Sequence, residues 1–548
     1  MYKGYGNNLY SISTQPLKVA RQRVLFVVSI FLLAFLALVC RLAQVMILND
    51  KEEKRRFEFV PPTISRADIV DRNGTIIATS LPTVSLYACP REIISVEEAA
   101  EKIAAALDLN KADLKKKLSS QKKFLWIKRN LSPVQEQAVL NQGIPGIHFL
   151  KTERRVYPDK NLFSHVIGGT DVDNVGIAGI EKVFDESLRE SSEPIKLSVD
   201  VKIQHAVRDE LQKSVEEFKA LAGAAVVMKI STGEIISLVS FPDFDPNAIS
   251  DPKAKERFNM ITSSAIEPGS SAKVFNTAMA IESGLVAPYT TFDARFPLKV
   301  GKFVVHDFKG LGKILTVEEI LKFSSNIGSA KIALEVGRAY QRKFFKNVGL
   351  LDAVSCELPE TQRPLYPALW TEVSSITISY GHGIAFSPLH MITVMSGILN
   401  DGILNNPTLL KRDNVASGRR IISKRTSNIM KALLRIDVIE GRNKFAEVSG
   451  YCVGGKTGTA EKQKGGKYLK NSNYGGFIGA FPMTNPQYAV YVVLDDPQAT
   501  PKTHGYKTAG WNAAPTAANI IKRIGSMLGV VASNGPEPDW KSIMRKEV

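Results

Sequence analysis

Ser270 and Lys273 stand three residues apart, directly after the turn signal Ile266-Glu267-Pro268-Gly269 and ahead of an apolar series at Val274, Phe275, Ala278, Met279 and Ile281. Those offsets of three and four predict one face of a helix that stops at Gly284. Ser270 then falls at the helix's first turn, where free backbone N–H groups favour developing negative charge. Lys273 lies one turn on along the same face. A serine hydroxyl is a poor nucleophile until a base takes its proton. None of the seven histidines pairs with an aspartate in a recognisable triad motif, and Lys273 is the candidate base, able to act only as the neutral amine. An unperturbed lysine titrates near 10.4, so holding a neutral amine at pH 7 costs about 4–5 kcal/mol. Burial and a second nearby cation both lower that cost.

Two further motifs follow in chain order, Ser324-Ser325-Asn326 and Lys456-Thr457-Gly458. Each motif alone is weak, since Ser-x-x-Lys arises by chance roughly two or three times in a chain of this length. The ordered set is much stronger and points to acyl transfer through a serine. In that reading Lys456 is the second cation, Ser324 bridges the two lysines as a proton relay toward the leaving amine, and Asn326 holds a substrate amide. Lys456-Thr457-Gly458-Thr459-Ala460 reads as an edge strand, with Gly454, Gly455 and Gly458 expected where a substrate backbone approaches closely. Lys456, Thr457 and Thr459 are expected to bind a substrate carboxylate. The backbone N–H groups of Ser270 and Thr459 are expected to form an oxyanion hole, whose single donors are worth about 3–4 kcal/mol. A surface helix with a snorkelling lysine, or a Gly-rich loop with a solvated one, would explain each motif separately but not their order.

These motifs sit far beyond an apolar N-terminal stretch. From Val24 to Cys40 seventeen residues carry no charge, Arg41 interrupts, and Leu42 to Leu48 is again mostly apolar. Seventeen helical residues rise about 26 Å and twenty-five about 38 Å, enough to span a bilayer with Arg41 reaching the far interface. Lys3, Lys18, Arg21 and Arg23 precede the span without an acidic residue. That pattern places residues 1–23 in the cytoplasm and everything beyond about residue 48 outside. A cleaved signal peptide is the competing reading, disfavoured by the length of the run and the lack of a small-x-small site after it. Cys40 raises a lipoprotein alternative, but Val39 stands where such sites want a small residue.

Cys89, Cys356 and Cys452 then face an exported compartment; three cysteines allow at most one disulfide, and no spacing suggests a metal. Cys452, in an apolar strand-like stretch, reads as a buried small hydrophobe rather than a nucleophile. No cofactor is expected. The formal net charge is +17, four of those charges in the N-terminal tail. The basic residues are densest between Lys111 and Arg129, where Lys115-Lys116-Lys117 and Lys122-Lys123 alternate with Leu114, Leu118, Phe124 and Trp126. A basic stripe with aromatics suits nucleic acid, but no nucleic-acid motif is present and export argues against that partner. A solvated face near anionic lipid or an anionic cell-wall polymer accounts for it.

Five hundred residues beyond the span imply more than one domain. Arg66 to Ala78 reads as a hairpin turning at Asn73-Gly74, residues 97–107 and 110–118 as helices, and Gly168 to Glu181 as a loop. A boundary is expected near residues 190–200. Beyond it Ala224 to Ile230 pairs with Glu234 to Ser240, and Phe477 to Phe481 with Tyr488 to Asp495. Helices lie between the hairpins, one more spans roughly Pro515 to Met527, and the last dozen residues read as irregular. The fold class is α+β, an antiparallel sheet flanked by helices.

With these segments in place, nearly the whole chain resembles a class B penicillin-binding protein. Arg66 to Gly74 is similar to the family's Arg-Gly-x-Ile-x-Asp-Arg-Asn-Gly signature, with Ala67 in place of Gly. Arg155-Val156-Tyr157-Pro158 and Gly179-Ile180-Glu181 match further landmarks, as do Asp200 to Gln204 and Phe241 to Asn247. Tyr380-Gly381-His382-Gly383-Ile384, with Ser387-Pro388-Leu389, resembles the division-specific branch. The resemblance implies a tail (1–23), an anchor (24–48), a non-catalytic pedestal of dimerisation type (49–195), a transpeptidase domain (196–533) and a C-terminal tail (534–548). It also implies a septal peptidoglycan D,D-transpeptidase that attacks D-Ala-D-Ala stem peptides, is trapped by β-lactams, and works in the inner membrane at the division site. Divisome partners there would include a glycosyltransferase. Ser270, Lys273, Ser324, Asn326, Lys456, Thr457, Gly458 and Thr459 inherit their roles by motif match. Ser271 and Val274 depart from the usual Thr and Pro without removing a reacting group. The rivals are the elongation-specific enzyme of the same class, a β-lactamase, for which no activating glutamate is found before Lys456, and a β-lactam sensor.

Overall fold

Gln15 to Gln44 form a single helix, α1, in the computed structural model, which describes residues 15–44, 65–248, 251, 254–414, 418–533 and 535–547. Among the described residues, Arg23–Gln44 is the one helical stretch long and apolar enough to cross a membrane. Its 22 residues rise about 33 Å, and all of its side chains are exposed, as a lipid-facing helix requires. The helix starts inside the expected tail rather than at Val24, with Pro16 in its first turn, where a missing N–H costs nothing. Residues 1–14 of the expected tail, the anchor's end at 45–48, the first residues of the expected pedestal and Val548 lie outside the described residues.

The rest of the chain folds as a separate unit. Its first sheet is built on a long strand, β2 (Ile76–Ala88), entered from β1 (Ile69–Val70) through the turn at Asn73-Gly74. Asp71 closes that turn by accepting N–H bonds from Asn73 and Thr75, both 2.8 Å, while Gly74 takes φ +90°. Helices α2 (Val96–Leu107) and α3 (Lys111–Leu118) follow, capped by Ser95 and Asn110. β3 (Leu125–Leu131) and β4 (Ile147–Val156) pair antiparallel with β2, and β5 (Ile195–Lys196) pairs parallel with β1. The residues from Gly168 to Glu181 correct the loop expectation. They form a small hairpin, Gly169–Thr170 with Gly176–Ala178, and a helical turn, Gly179–Val183.

The landmark residues of this region converge on one carboxylate. Fully buried Glu181 accepts from Arg66 at 2.6 and 2.8 Å, from Arg155 at 2.7 Å and from the Tyr157 hydroxyl at 3.3 Å. Neutralising it leaves two buried guanidiniums short of countercharge, although Arg66 keeps its ion pair with Asp185. Glu181→Gln is therefore expected to lower stability by about 3–5 kcal/mol, read as a lower denaturant midpoint of the solubilised protein.

The second sheet positions the site. α4 (Val201–Glu217), capped by Asp200, leads into β6 (Ala222–Lys229) and β7 (Ile235–Phe241). A helical region follows, containing α5 (Ala272–Glu282), α6 (Val317–Phe323), α7 (Asn326–Val336), α8 (Pro388–Leu399) and α9 (Lys424–Ile439). The chain then returns as β8 (Gly454–Lys464), β9 (Lys467–Phe481) and β10 (Tyr488–Asp495), giving an antiparallel order β8-β9-β10-β6-β7. Both faces are covered, so the inner strands read as continuous apolar runs rather than alternating ones. Ala224, Val226, Met228, Ile478, Ala480, Ala489 and Tyr491 enter the core shared with the helical region. Ala225, Val227, Phe477, Phe481, Val490 and Val492 enter the opposite core, with α4 and α10 (Ala513–Ile524).

The C-terminal expectation was wrong. Trp540–Glu547 form a further helix, α11, with Trp540 and Met544 buried. Buried Arg435 of α9 pairs with Glu447 and Glu537, and Glu537 also accepts from Trp540 Nε1 at 2.9 Å. Eight residues are too few to hold a helix alone; docking on α9 holds this one.

Candidate active site

A 3-10 turn, Gly269–Ser271, runs directly into α5, so Ser270 sits one turn ahead of the α-helix proper, and Gly284 at φ +74° ends the segment as expected. Lys273 follows on the same face and is fully buried. Its Nζ lies 2.9 Å from Ser270 Oγ, 3.0 Å from the Ser324 carbonyl oxygen, 3.1 Å from Ser324 Oγ and 2.7 Å from Asn326 Oδ1. Ser324 Oγ donates to Ser270 Oγ at 2.8 Å. Ser324 adopts left-handed backbone at the end of α6, φ 59° and ψ 44°. That conformation costs an L-residue roughly 1–2 kcal/mol, and it turns both the carbonyl and the hydroxyl of one residue onto the same amine.

Burial pushes the Lys273 amine well below its ordinary pKa, and the Lys456 charge pushes it in the same direction. A neutral amine also fits the contacts. It has two N–H donors for the two obligate acceptors, the Ser324 carbonyl and Asn326 Oδ1, and a lone pair left to receive the Ser270 proton.

Lys456 is buried on β8, at the edge of its sheet as expected, but its ammonium pairs with Asp437 of α9 at 3.1 Å. Burial holds the Asp437 carboxyl above its ordinary pKa, and Lys456 pulls it back only in part. The bridge expected through Ser324 is thus present on its Lys273 side, while Lys456 acts on that cluster through its field. Thr457 Oγ1 donates to Asn443 Oδ1 at 2.6 Å, and Thr459 Oγ1 accepts from the Ala509 N–H at 3.1 Å, keeping its own proton to donate. Asn326 is committed to Lys273 and, through Nδ2, to the His306 carbonyl at 3.1 Å.

The glycines answer to the protein's own packing rather than to open space. A Cβ on Gly458 would come within 2.3 Å of the Pro268 carbonyl oxygen; one on Gly454 would meet Met483, and one on Gly455 would meet Ile478. Close approach at Gly458 seats β8 against the Ser270 turn. Gly269, at φ +51°, lies so near Thr459 that a Cβ would be 2.5 Å from its carbonyl oxygen. Gly381, at φ +92°, lies against Gly269 in turn, leaving 2.0 Å for a Cβ. Gly381→Ala is expected to displace the turn and slow acylation of Ser270 by at least about 10²-fold, the cost of roughly 1 Å of misplacement, measured as the rate of covalent labelling.

Several residues that hold this geometry were not anticipated. Asp307 accepts from Ser325 Oγ at 2.8 Å and from the N–H groups of Asn326 and Ile327 at 2.5 and 3.0 Å, fixing the start of α7. In the sequence Glu267 is part of the turn signal ahead of Ser270. It accepts from the Gly383 N–H and from Gln463 Nε2, both 2.8 Å, and meets His382 Nδ1 at 3.1 Å. It therefore ties the nucleophile turn to the β8–β9 hairpin and to the Tyr380–Ile384 segment. Asp437 had a faint signal, as the lone acid of its helix. Cys452 is buried, though it precedes the strand rather than lying in it, and burial raises its thiol to about 11.

A family model of the penicillin binding protein transpeptidase domain matches residues 223–522, and one of the penicillin-binding protein dimerisation domain matches residues 62–217. The probable peptidoglycan D,D-transpeptidase FtsI of Caulobacter vibrioides is 35% identical over 481 residues, covering 85% of this chain and 82% of that one. The peptidoglycan D,D-transpeptidase FtsI of Escherichia coli K12 is 28% identical, covering 87% and 84%. Among solved structures, penicillin binding protein 3 of Mycobacterium tuberculosis complexed with aztreonam superposes with a TM-score of 0.68 at 23% identity, over 87% of this chain and 98% of that one. That last likeness speaks to the fold.

Proposed function

This chain belongs to the class B penicillin-binding proteins, peptidoglycan D,D-transpeptidases with a dimerisation domain ahead of the transpeptidase domain, and from that premise we propose that it cross-links stem peptides at the division septum through an acyl-enzyme on Ser270. The observation that carries the mechanism is the fully buried Lys273 amine, within 3.1 Å of Ser270 Oγ and of both oxygens of Ser324. Ser270 Oγ attacks the carbonyl carbon of the penultimate D-Ala while its proton passes to the Lys273 lone pair. The backbone N–H groups of Ser270 and Thr459 receive the oxyanion. Collapse breaks the amide, and Lys273 returns the proton through Ser324 to the departing D-Ala nitrogen. An amine of a neighbouring stem then attacks the ester, sheds a proton along the same path and restores the Ser270 hydroxyl. Thr457 and Thr459, beside the Lys456 charge, would hold the donor carboxylate. A β-lactam enters as a donor mimic whose leaving amine stays tethered, so the ester persists.

The basic residues ahead of the apolar stretch that begins at Val24 support an inner-membrane anchor with the catalytic unit in the periplasm, beside divisome proteins that include a glycosyltransferase. Similarity to two FtsI proteins, together with the Tyr380–Ile384 segment, supports the septal assignment. Intact-protein mass spectrometry with a stem-peptide thioester tests the chemistry. A Ser270 acyl adduct should form, and an added D-amino acid should shorten its lifetime and appear in an amide product. Hydrolysis indifferent to the amine would identify a hydrolase, and an adduct that never turns over would identify a sensor. A fluorescent fusion should gather at midcell; even labelling of the side wall would assign the elongation role instead.

A further inference from the structure

We propose that Cys89, Glu92 and His148 form a zinc-binding site on the first sheet, distant in sequence from every residue of the acyl-transfer machinery. β2 ends at Ala88, and Cys89 caps a 3-10 turn, Pro90–Glu92, closed by the Glu92 N–H on the Cys89 carbonyl at 2.8 Å. At about three residues per turn, positions i and i+3 eclipse, which places the thiol and the carboxylate on the same side. The turn is fixed against the neighbouring strand. The Cys89 N–H donates to the Gly146 carbonyl at 2.7 Å, and Gly146, at φ +77°, packs so closely that a Cβ would lie 2.9 Å from the Glu92 carbonyl carbon. The β2–β4 register sets His148 opposite Tyr87, and the two rings stack at 5.2 Å, leaving His148 Nε2 2.9 Å from Glu92 Oε2. Phe124 stacks on Tyr87 at 4.8 Å and holds that ring in turn.

One donor atom from each of the three residues lies within 4.8 Å of the other two. Thiolate, imidazole and carboxylate are the donor types zinc takes, and three protein ligands leave a fourth tetrahedral position for water. Two of the three are anionic once bound, matching a divalent charge, and the sulfur selects zinc over magnesium or calcium. Ligands on one zinc stand roughly 3.3 Å apart at bond lengths near 2.0 Å, so His148 and Glu92 need part only slightly. Partial exposure of Cys89 and His148 gives the ion a path in. The sequence offered no sign of this site because His148 reaches the Cys-x-x-Glu turn only through strand pairing. Bound there, zinc would clip the turn to β4.

The test uses the full-length protein in detergent, stripped with a chelator and then equilibrated with zinc at low micromolar free concentration. One zinc per chain is expected by elemental analysis, and Co²⁺ in its place should give a thiolate-to-cobalt charge-transfer band. Cys89→Ser and His148→Gln should each weaken zinc binding by at least about tenfold and remove or shift that band, with β-lactam labelling unchanged as the sign of intact folding. Both variants keep Cys40, Cys356 and Cys452, so zinc held there would survive. Failure of the wild-type protein to retain zinc, or retention by the variants equal to wild type, overturns the proposal and leaves a His148–Glu92 hydrogen bond beside an unrelated thiol.

Discussion

Ser270→Ala is expected to abolish covalent labelling by a fluorescent penicillin, lowering acylation by roughly 10⁴-fold or more without unfolding the protein. Ser270 lies on the short turn ahead of α5, and its hydroxyl makes no contact on which the core depends; its partners are Lys273 and Ser324. Removing it frees Lys273 from one neighbour but leaves the two oxygen acceptors that hold the amine in place. Ser324 Oγ, 2.8 Å from Ser270 Oγ and in contact with Lys273 Nζ, is the hydroxyl placed to substitute as nucleophile. It is carried on the α6 terminus, not on the turn beside Thr459, so it lacks the oxyanion donors. Labelling retained by Ser270→Ala, and removed by a further Ser324→Ala change, would transfer the nucleophile assignment to Ser324. The denaturant midpoint of each variant serves as the folding control.

What the sequence made legible in this site is what local periodicity encodes. The spacing of apolar residues after Lys273 defines α5, so Ser270 and Lys273 could be placed on one face before any contact was known. The glycine-flanked Lys456 to Ala460 run marks β8, which is indeed an edge strand. The paired strands on either side of Ser231-Thr232-Gly233 and of Pro482 to Pro486 fall where short apolar runs bounded by turn residues put them. The elements that tune and hold the site were not legible, because each is a contact between distant segments. Asp437 meets Lys456, Asp307 meets the start of α7, Glu267 meets Gln463, and Glu181 gathers Arg66 and Arg155. None of these pairings has a periodicity to read. Family resemblance marked the separate segments that carry Arg66, Arg155, Tyr157 and Glu181, and the structure supplies what joins them: one buried carboxylate serves them all. The same limit explains α11, whose helical state comes from docking Trp540 and Met544 rather than from its own eight residues.

Lys273→Arg is expected to slow acylation by about 10³–10⁴-fold, as much as Lys273→Met, because a guanidinium keeps the charge and length but cannot give up its proton near neutral pH. This pair separates a base from a charge: if Lys273 served only to attract an anionic substrate, arginine would preserve most of the rate. The pH profile gives an independent reading. The competent form is the neutral amine, so acylation should rise with pH as Lys273 loses its proton and level off above its pKa. Burial, and after it the Lys456 charge, hold that pKa well below the ordinary lysine value, so the ascending limb should lie well below pH 10. Lys456→Met removes a cation that lowers the Lys273 pKa, so the limb should move to higher pH; buried Asp437, no longer held down by Lys456, can take up a proton, which trims the shift without leaving a stranded charge. Asp437→Asn acts in the opposite sense on Lys273, but it strands the buried Lys456 ammonium and is expected to cost about 3–5 kcal/mol of stability. The Lys456→Met profile, taken on labelling rates rather than turnover, is therefore the cleaner measurement. An ascending limb that stays in place in that variant would mean that burial alone neutralises Lys273, and that Lys456 serves the substrate carboxylate instead.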